Sequence, residues 1–267
     1  LTLPRQGGGD ILILGGTGIG RVTKPGLAVP PGEWAINPVP RRMIEQAVAD
    51  VFPLHSLPFT LHISISIPDG EERARKTLNA RLGIIGGLSI LGTTGTVRPV
   101  SAKAWTDTID ASLDVASACG CETVVLSTGR TSEMAAQKHF SGFSEEAFIM
   151  MGDHVAYTLN ACAARGFLKP VIACQFAKLL KIACGHKNTH AAVSELELEV
   201  LKQWAEGAQL SADLIGLIAR ANTAREVALE SGFDPELVRL VTVRAEQAAI
   251  QHSATIKVHF LLCPYSS

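Results

Sequence analysis

The sequence has no surplus of charge and no block of one sign. Its 24 Lys and Arg residues face 25 Asp and Glu, for a formal net charge of -1. A protein held electrostatically to nucleic acid needs a basic face that displaces counterions from phosphates, so that class is excluded. Long apolar stretches are also missing. Ile11 to Leu14 is too short to span a bilayer, and Leu82 to Leu91 is too rich in glycine. No charged-then-apolar leader opens the chain, and the expectation is a soluble, cytoplasmic protein with no nucleic-acid and no membrane partner. A disulfide scaffold is unnecessary, because a chain of 267 residues hides roughly three quarters of its unfolded surface on folding, enough for one large core or two modest ones. The six cysteines, Cys119, Cys121, Cys162, Cys174, Cys184 and Cys263, sit in mostly apolar surroundings, where a reduced thiol behaves as a small hydrophobe. Only one residue separates Cys119 from Cys121, a tighter spacing than zinc knuckles or redox dithiols use, which favours a structural reading over a functional one. An initial Met is lacking as well: the chain starts Leu1-Thr2-Leu3-Pro4, and a segment is expected to be missing in front of it.

The signatures of nucleophilic catalysis are absent. There is no G-x-S-x-G elbow, no Walker motif and no cysteine with a histidine partner at motif spacing, which points away from hydrolases. His186 and His190 are four apart, a spacing that chelates a metal on a helix. No third ligand stands at a recognised spacing, however, and Gly185 suggests a loop. The expectation is therefore no protein-bound metal, with both histidines lining a ligand pocket. His62 and His259 lie in strand-like runs and are expected to face solvent or to be satisfied in the core.

Two textures divide what is present. Residues 1 to 79 are rich in Gly and Pro, with short β-branched runs. Phe59 to Ile67 alternates with period two, the mark of a half-buried strand, and Pro40 to Phe52 is amphipathic. From residue 80 to 267 short apolar runs alternate with helical patterns. Leu82 to Ile85, Thr123 to Leu126, Pro170 to Cys174 and Thr255 to Leu262 read as strands. Ser101 to Ala118, Ser132 to His139, a longer helix after Ser144, and one through Ala183 lie between them. In that longer helix Phe148, Met151, Val155, Leu159 and Cys162 fall on one stripe. Ser194 to Glu197 forms a capping box, and Asp234-Pro235 an N-cap with proline at the first helical position, while Gly232 closes the helix before. The fold class expected is α/β plus α+β: a mainly parallel sheet with helices on both faces and right-handed crossovers, preceded by a smaller, incomplete α+β domain.

Three glycine-bearing loops compete for a ligand. Gly15 to Gly20 follows a strand but places its third glycine one residue early for a dinucleotide fingerprint. Pro25 and Gly26 would break the helix that must follow, so a tight turn is expected there. Gly86 to Gly95, read as following the first strand of the α/β part, fits a site better, because ligands collect beyond the carboxyl ends of parallel strands. Gly86, Gly87, Thr93, Thr94 and Gly95 supply close backbone approach and hydroxyls. Ser127, Thr128 and Gly129 end the second strand at the same predicted sheet edge, and Arg130 beside them can grip a carboxylate bidentately or stand as an exposed loop arginine.

Several strings carry a resemblance. Gly18-Ile-Gly-Arg-Val-Thr-Lys-Pro-Gly-Leu27, Ala35-Ile-Asn-Pro-Val-Pro-Arg-Arg-Met43, Ile67-Pro-Asp-Gly70, Leu82 to Gly95, Ser127-Thr-Gly-Arg-Thr-Ser132, Met151-Gly-Asp153, His186 to His190 and Ala221-Asn-Thr-Ala-Arg225 resemble the CbiD family. Its members are cobalt-precorrin-5B C-1 methyltransferases of the oxygen-independent corrin-ring pathway to cobalamin. The resemblance implies a Rossmann-like second domain and transfer of a methyl group from S-adenosyl-L-methionine to C-1 of a cobalt-bound tetrapyrrole, giving cobalt-precorrin-6A, with cobalt present only in the substrate. It also implies a further N-terminal stretch that this chain does not carry. On this reading Gly86, Gly87, Thr93, Thr94, Gly95, Ser127, Thr128 and Gly129 hold the donor. Arg98, Arg130, Lys178, His186 and His190 meet the substrate's acid arms, and His190 is the candidate proton acceptor. A non-catalytic corrinoid or tetrapyrrole carrier is the alternative, a nucleotide-binding oxidoreductase a third reading, and a homodimer the base-rate expectation.

Overall fold

The structure is a computed structural model, which describes residues 10–52, 59–92, 102–190 and 198–265. It divides into two compact units, Leu1–Ser101 and Ala102–Ser267. The boundary expected after residue 79 differs from this division by the segment that holds the strand Ile84–Ile85.

The first unit has two small sheets. Strand β1 (Ile11–Gly15) and β3 (Leu61–Ile65) pair in parallel, Ile11 opposite Leu61. Parallel neighbours need a crossover, and the amphipathic segment supplies it as helix α1 (Pro38–Ala49), with proline in its first turn where the missing N–H costs nothing. Along β3, His62 and Ser64 face water while Leu61, Ile63 and Ile65 are half-buried, as the alternation predicts. Between these strands and α1 lie Ile13, Ile19 and Ile36, all buried. The second sheet pairs β2 (Arg21–Val22) antiparallel with β4 (Ile84–Ile85); α2 (Gly70–Ala74) precedes β4. This corrects one expectation: Leu82 to Ile85 does not open the parallel sheet. A run of four apolar residues is too short to declare its partner, and here the partner is Arg21–Val22.

The second unit is built on a four-stranded, wholly parallel sheet in the order β6-β5-β7-β8. The strands are β5 (Val125–Ser127), β6 (Phe148–Met150), β7 (Val171–Cys174) and β8 (His259–Leu262). Helices α3 (Ala102–Ala118), α4 (Arg130–His139), α5 (Val155–Ala164) and α6 (Phe176–Ala183) alternate with them, and α7 (Leu198–Gly207), α8 (Ala212–Arg220), α9 (Ala224–Glu230) and α10 (Pro235–His252) fill the path to β8. Successive strand residues point to opposite faces. Val125 packs with Ala136 of α4 on one side, whereas Leu126 joins Ile109 of α3, Leu159 of α5, Leu179 of α6 and Val241 of α10 on the other. Each fully buried Leu or Ile in that larger cluster stabilises the unit by about 1.5 to 3 kcal/mol.

The helix expected after Ser144 is three elements. Glu145–Ala147 makes a short 3₁₀ turn, Phe148–Met150 is strand β6, and the helix begins only at Val155. A three-residue apolar run satisfies a helical stripe and an edge strand equally, and pairing with β5 decides between them. The caps fare better. Asp234 accepts from the backbone N–H groups of Glu236 and Leu237, both at 3.0 Å, and Gly232 takes a left-handed φ of 62° after α9. Asp234→Ala is expected to lower stability by about 1 kcal/mol, read as a shift of the urea midpoint at unchanged slope.

Burial pushes the Cys162 thiol up to about 12 and the Cys263 thiol to about 11, so both are protonated packing groups. His62 and His259 face solvent. Among the described residues no helix is long and apolar enough to cross a membrane.

Candidate functional site

The order β6-β5-β7-β8 contains a switch point. From β5 the chain goes out to β6 on one side and returns to β7 on the other, so the crevice that parallel sheets offer ligands opens beyond the carboxyl ends of β5 and β7. There the sequence places Ser127, Thr128 and Gly129, then Arg130 as the first residue of α4. The turn is braced from within. The hydroxyl of Ser132 donates to the Gly129 carbonyl at 2.9 Å and accepts from the Gly129 N–H at 3.1 Å, and the Thr128 N–H donates to the Ala173 carbonyl at 3.2 Å. Ser127 is fully buried. Its carbonyl accepts from the N–H groups of Met151 and Gly152, but among the described residues its hydroxyl has no partner, an uncommon expense for a buried polar group. Arg130 is exposed, stands where the helix dipole disfavours a cation, and forms none of the ion pairs among the described residues. Stability does not account for it.

A second polar group bridges the same edge. Lys178 of α6, beyond β7, donates to Oδ1 of Asp153, beyond β6; these strands flank β5, so the ion pair spans the end of the central strand. Thr189 donates its hydroxyl to the same oxygen at 2.8 Å and its N–H to the Asp153 carbonyl at 3.0 Å. The ammonium groups of Lys178 and Lys181 donate to the Thr189 carbonyl at 2.9 and 3.2 Å. Burial works to raise the pKa of Asp153, but hydrogen bonds from Lys178 and Thr189 and the charges of Lys178 and His190 outweigh it and hold the carboxyl below its ordinary value. Burial, with Lys178 nearby, lowers that of Lys181, and Asp153 only partly compensates.

Lys178, expected as a free cation for the substrate's acid arms, is committed to Asp153. Residues 185–190 form no helix, so the helical chelation geometry of His186 and His190 does not exist; Gly185 turns the chain with φ of 83°. His186 is half-buried, its Nε2 without a hydrogen-bond partner among the described residues. His190 is exposed and follows directly on the Thr189 anchor, its N–H donating to Asn188 Oδ1 at 2.9 Å. Among the described residues no group of three or more His, Cys, Asp or Glu is placed to hold a metal.

Gly86 and Gly87 lie in the first unit, and the strand before them belongs to a different sheet from Ser127. The expectation that both loops follow one another along one sheet edge is therefore corrected. What calls for glycine at position 87 is backbone: a Cβ there would stand 2.3 Å from the carbonyl oxygen of Gly18. The two glycine strings pack on each other, with the Leu88 N–H donating to Gly18 and the Gly20 N–H to Leu88, both at 2.9 Å. Gly15 to Gly20 forms a strand end and a turn, as expected. Thr93, Thr94, Gly95, Arg98 and the Ser194 to Glu197 capping pattern lie outside the described residues.

Sequence reasoning missed Asp153, Lys181 and Thr189 as parts of one network. With Phe148 to Cys162 on one helical stripe, the sequence offers no strand end before the Met151-Gly-Asp153 string. Thr223 caps α9: its hydroxyl accepts from the Glu226 N–H at 3.1 Å, while the Glu226 carboxylate accepts from the Asn222 N–H at 2.8 Å.

Comparison with known proteins bears on the whole chain. The family model described as CbiD matches residues 2–99, and the one described as CbiD, C-terminal domain, matches residues 188–266. The cobalt-precorrin-5B C(1)-methyltransferase of Pelobacter propionicus is 55% identical, over 98% of this chain and 73% of that protein. Those of Geotalea daltonii and Geobacter sulfurreducens are each 57% identical, over 96% of this chain and 72% of theirs. Among solved structures, the cobalamin biosynthesis protein (cbiD) from Archaeoglobus fulgidus is 26% identical, covering 76% of this chain and 59% of that one, with a TM-score of 0.28. With more than half of its residues identical to such relatives over nearly its entire length, the chain belongs to the CbiD family.

Proposed function

We infer that this chain is a cobalt-precorrin-5B C(1)-methyltransferase of cobalamin biosynthesis, using S-adenosyl-L-methionine as methyl donor and a cobalt-containing precorrin as substrate. The observation that carries this is its 55% identity to a protein of that name over 98% of its own length. When bound, the donor supplies a sulfonium methyl group, whose bond to sulfur breaks as the electron pair of ring carbon C-1 forms the new carbon–carbon bond. Such a displacement asks the protein chiefly to hold two reactants in line at about 3 to 3.5 Å, with no protein nucleophile.

The donor fits the second unit. Its sheet order supports a Rossmann-like reading, with the ligand at the switch point. The braced Thr128-Gly129 turn offers hydrogen-bonding groups where the donor would lie, and its fixed geometry costs little on binding. Arg130 is our choice for a carboxylate arm of the substrate, its guanidinium able to bind both oxygens. His190 serves as proton acceptor from the ring, exposed and anchored through Thr189.

Calorimetry tests this reading. The chain is expected to bind S-adenosylhomocysteine and not NAD; the reverse would establish a nucleotide-dependent oxidoreductase, and binding without methyl transfer to the precorrin would favour the carrier. Arg130→Ala is expected to weaken substrate binding about tenfold or more, the usual loss for a charge-assisted hydrogen bond, with donor binding little changed. Equal losses for both ligands would make Arg130 a structural residue.

A further inference from the structure

The outer end of the parallel sheet carries an aromatic side chain that the reading above leaves unused. Trp105, in the first turns of α3, is 46% exposed although its orientation is fixed. Its indole N–H donates to the Met151 carbonyl at 3.2 Å. Its ring lies over Gly152, where a Cβ would come within 2.9 Å of it and where the backbone φ is 61°. His154 stacks beside it, ring centroids 6.5 Å apart and planes 29° from parallel. Helix α3 is itself tied down, since Arg165, the residue that follows α5, pairs with Asp110 at 3.0 Å and Asp114 at 2.7 Å. A flat apolar face held this firmly beside the end of a parallel strand suits a planar ring, because little side-chain entropy is lost on stacking.

Asp153 is the next residue beyond Gly152. Both hydrogen bonds that its carboxylate accepts among the described residues go to Oδ1, so Oδ2 is open. Asp153 also follows the second strand of the sheet, about 20 residues beyond the glycine turn at Gly129. In doubly wound nucleotide-binding halves that offset brings a carboxylate to ribose hydroxyls. Ser127 ends the adjacent strand. Glycine turn, carboxylate and aromatic shelf thus succeed one another from the central strand β5 outward past the edge strand β6.

We propose that the adenosine part of the methyl donor lies along this edge, its adenine ring on the exposed face of Trp105 and its ribose hydroxyls on Oδ2 of Asp153. The proposal rests on the methyltransferase reading and adds to it the half of the donor that undergoes no chemistry. The Lys178–Asp153 pair then has a second role, since it fixes the carboxylate in the orientation that leaves Oδ2 available.

Titration of S-adenosylhomocysteine into the unsubstituted chain, Trp105→Phe and Trp105→Leu tests it by calorimetry, both replacements keeping Gly152 covered. Stacking on an aromatic ring is expected to leave Trp105→Phe within about threefold of the unsubstituted chain and to weaken Trp105→Leu about tenfold. An independent arm uses the analogue lacking both ribose hydroxyls. In the unsubstituted chain that loss weakens binding about tenfold or more, and in Asp153→Asn the same loss costs at most a few fold. If Trp105→Leu binds S-adenosylhomocysteine as the unsubstituted chain does but loses affinity for the precorrin, the shelf carries the macrocycle and the proposal is overturned. Equal costs of hydroxyl removal in both chains overturn the part assigned to Asp153. Failure of the unsubstituted chain to bind S-adenosylhomocysteine at all removes the methyl-donor reading itself, and this proposal with it.

Discussion

Gly18→Ala is expected to destroy the cooperative unfolding of the first unit. A Cβ at this position would stand 1.9 Å from the carbonyl oxygen of Ile67 and 3.0 Å from the backbone of Gly70. Neither neighbour can retreat cheaply. The Ile67 carbonyl accepts from the Gly70 N–H at 2.8 Å, and the Ile67 N–H in turn donates to the Thr17 carbonyl at 2.8 Å. The left-handed φ of 73° adds about 1 to 2 kcal/mol for any residue with a side chain, and forced overpacking typically costs about 1 to 3 kcal/mol more. Gly32→Ala separates the two effects: its φ is 90°, but nothing lies within 4 Å of a Cβ there, so only the backbone cost of about 1 to 2 kcal/mol should appear. Denaturant unfolding followed through Trp34, which packs on Gly15, reads both variants. Similar losses for the two would show that conformation, not contact, sets the demand for glycine at position 18.

The second large effect is expected at Asp153→Ala. Removing one partner of a partly buried ion pair leaves the other charge uncompensated, and here it leaves two, Lys178 and the buried Lys181, sharing only the Thr189 carbonyl. Lys178 and Asp153 side chains keep 29% and 25% of their exposure, which reduces the several kcal/mol of a fully buried case to about 2 to 3 kcal/mol. The pH dependence distinguishes this cause from lost packing. Because the folded protein holds Asp153 below its ordinary carboxyl pKa, its contribution is fully present above the unfolded value of about 3.9 and is lost as pH falls through the folded one. The advantage of the natural residue over alanine should therefore shrink below about pH 4. At the alkaline end the variant should regain stability. Lys181 already has a lowered pKa from burial and Lys178; without Asp153 its charge costs more, and that cost disappears as pH rises through its folded pKa. Thermal melts of both chains between pH 2.5 and 10.5 check both limbs, and a pH-independent difference would remove the electrostatic account.

How much of this was legible beforehand varies with the range over which each feature is decided. The Asp234-Pro235 start of α10, the Gly232 stop and the alternation in β3 follow from residues a few positions apart, and they appear as expected. The strand β6 was not legible, because Phe148, Ile149 and Met150 suit a helical stripe as well as a strand. Its identity comes from pairing with β5, and with it the meaning of Asp153 changes from a helix residue to a carboxylate at a strand end. Lys178 looked like a cation for the substrate because its partner stands 25 residues away, beyond any local pattern.

The same division runs through the whole protein. Local patterns suffice for the family, through long ordered strings, and for most helices and strands of the second unit, β6 excepted, since periodicity and capping are local properties of the backbone. Only the tertiary structure decided that Gly87 serves the backbone of Gly18, that Ile84–Ile85 pairs with Arg21–Val22, and that Asp153 and Lys178 meet across the end of β5. Those are choices of partner between distant segments, made by burial and close packing when several pairings satisfy the same local pattern.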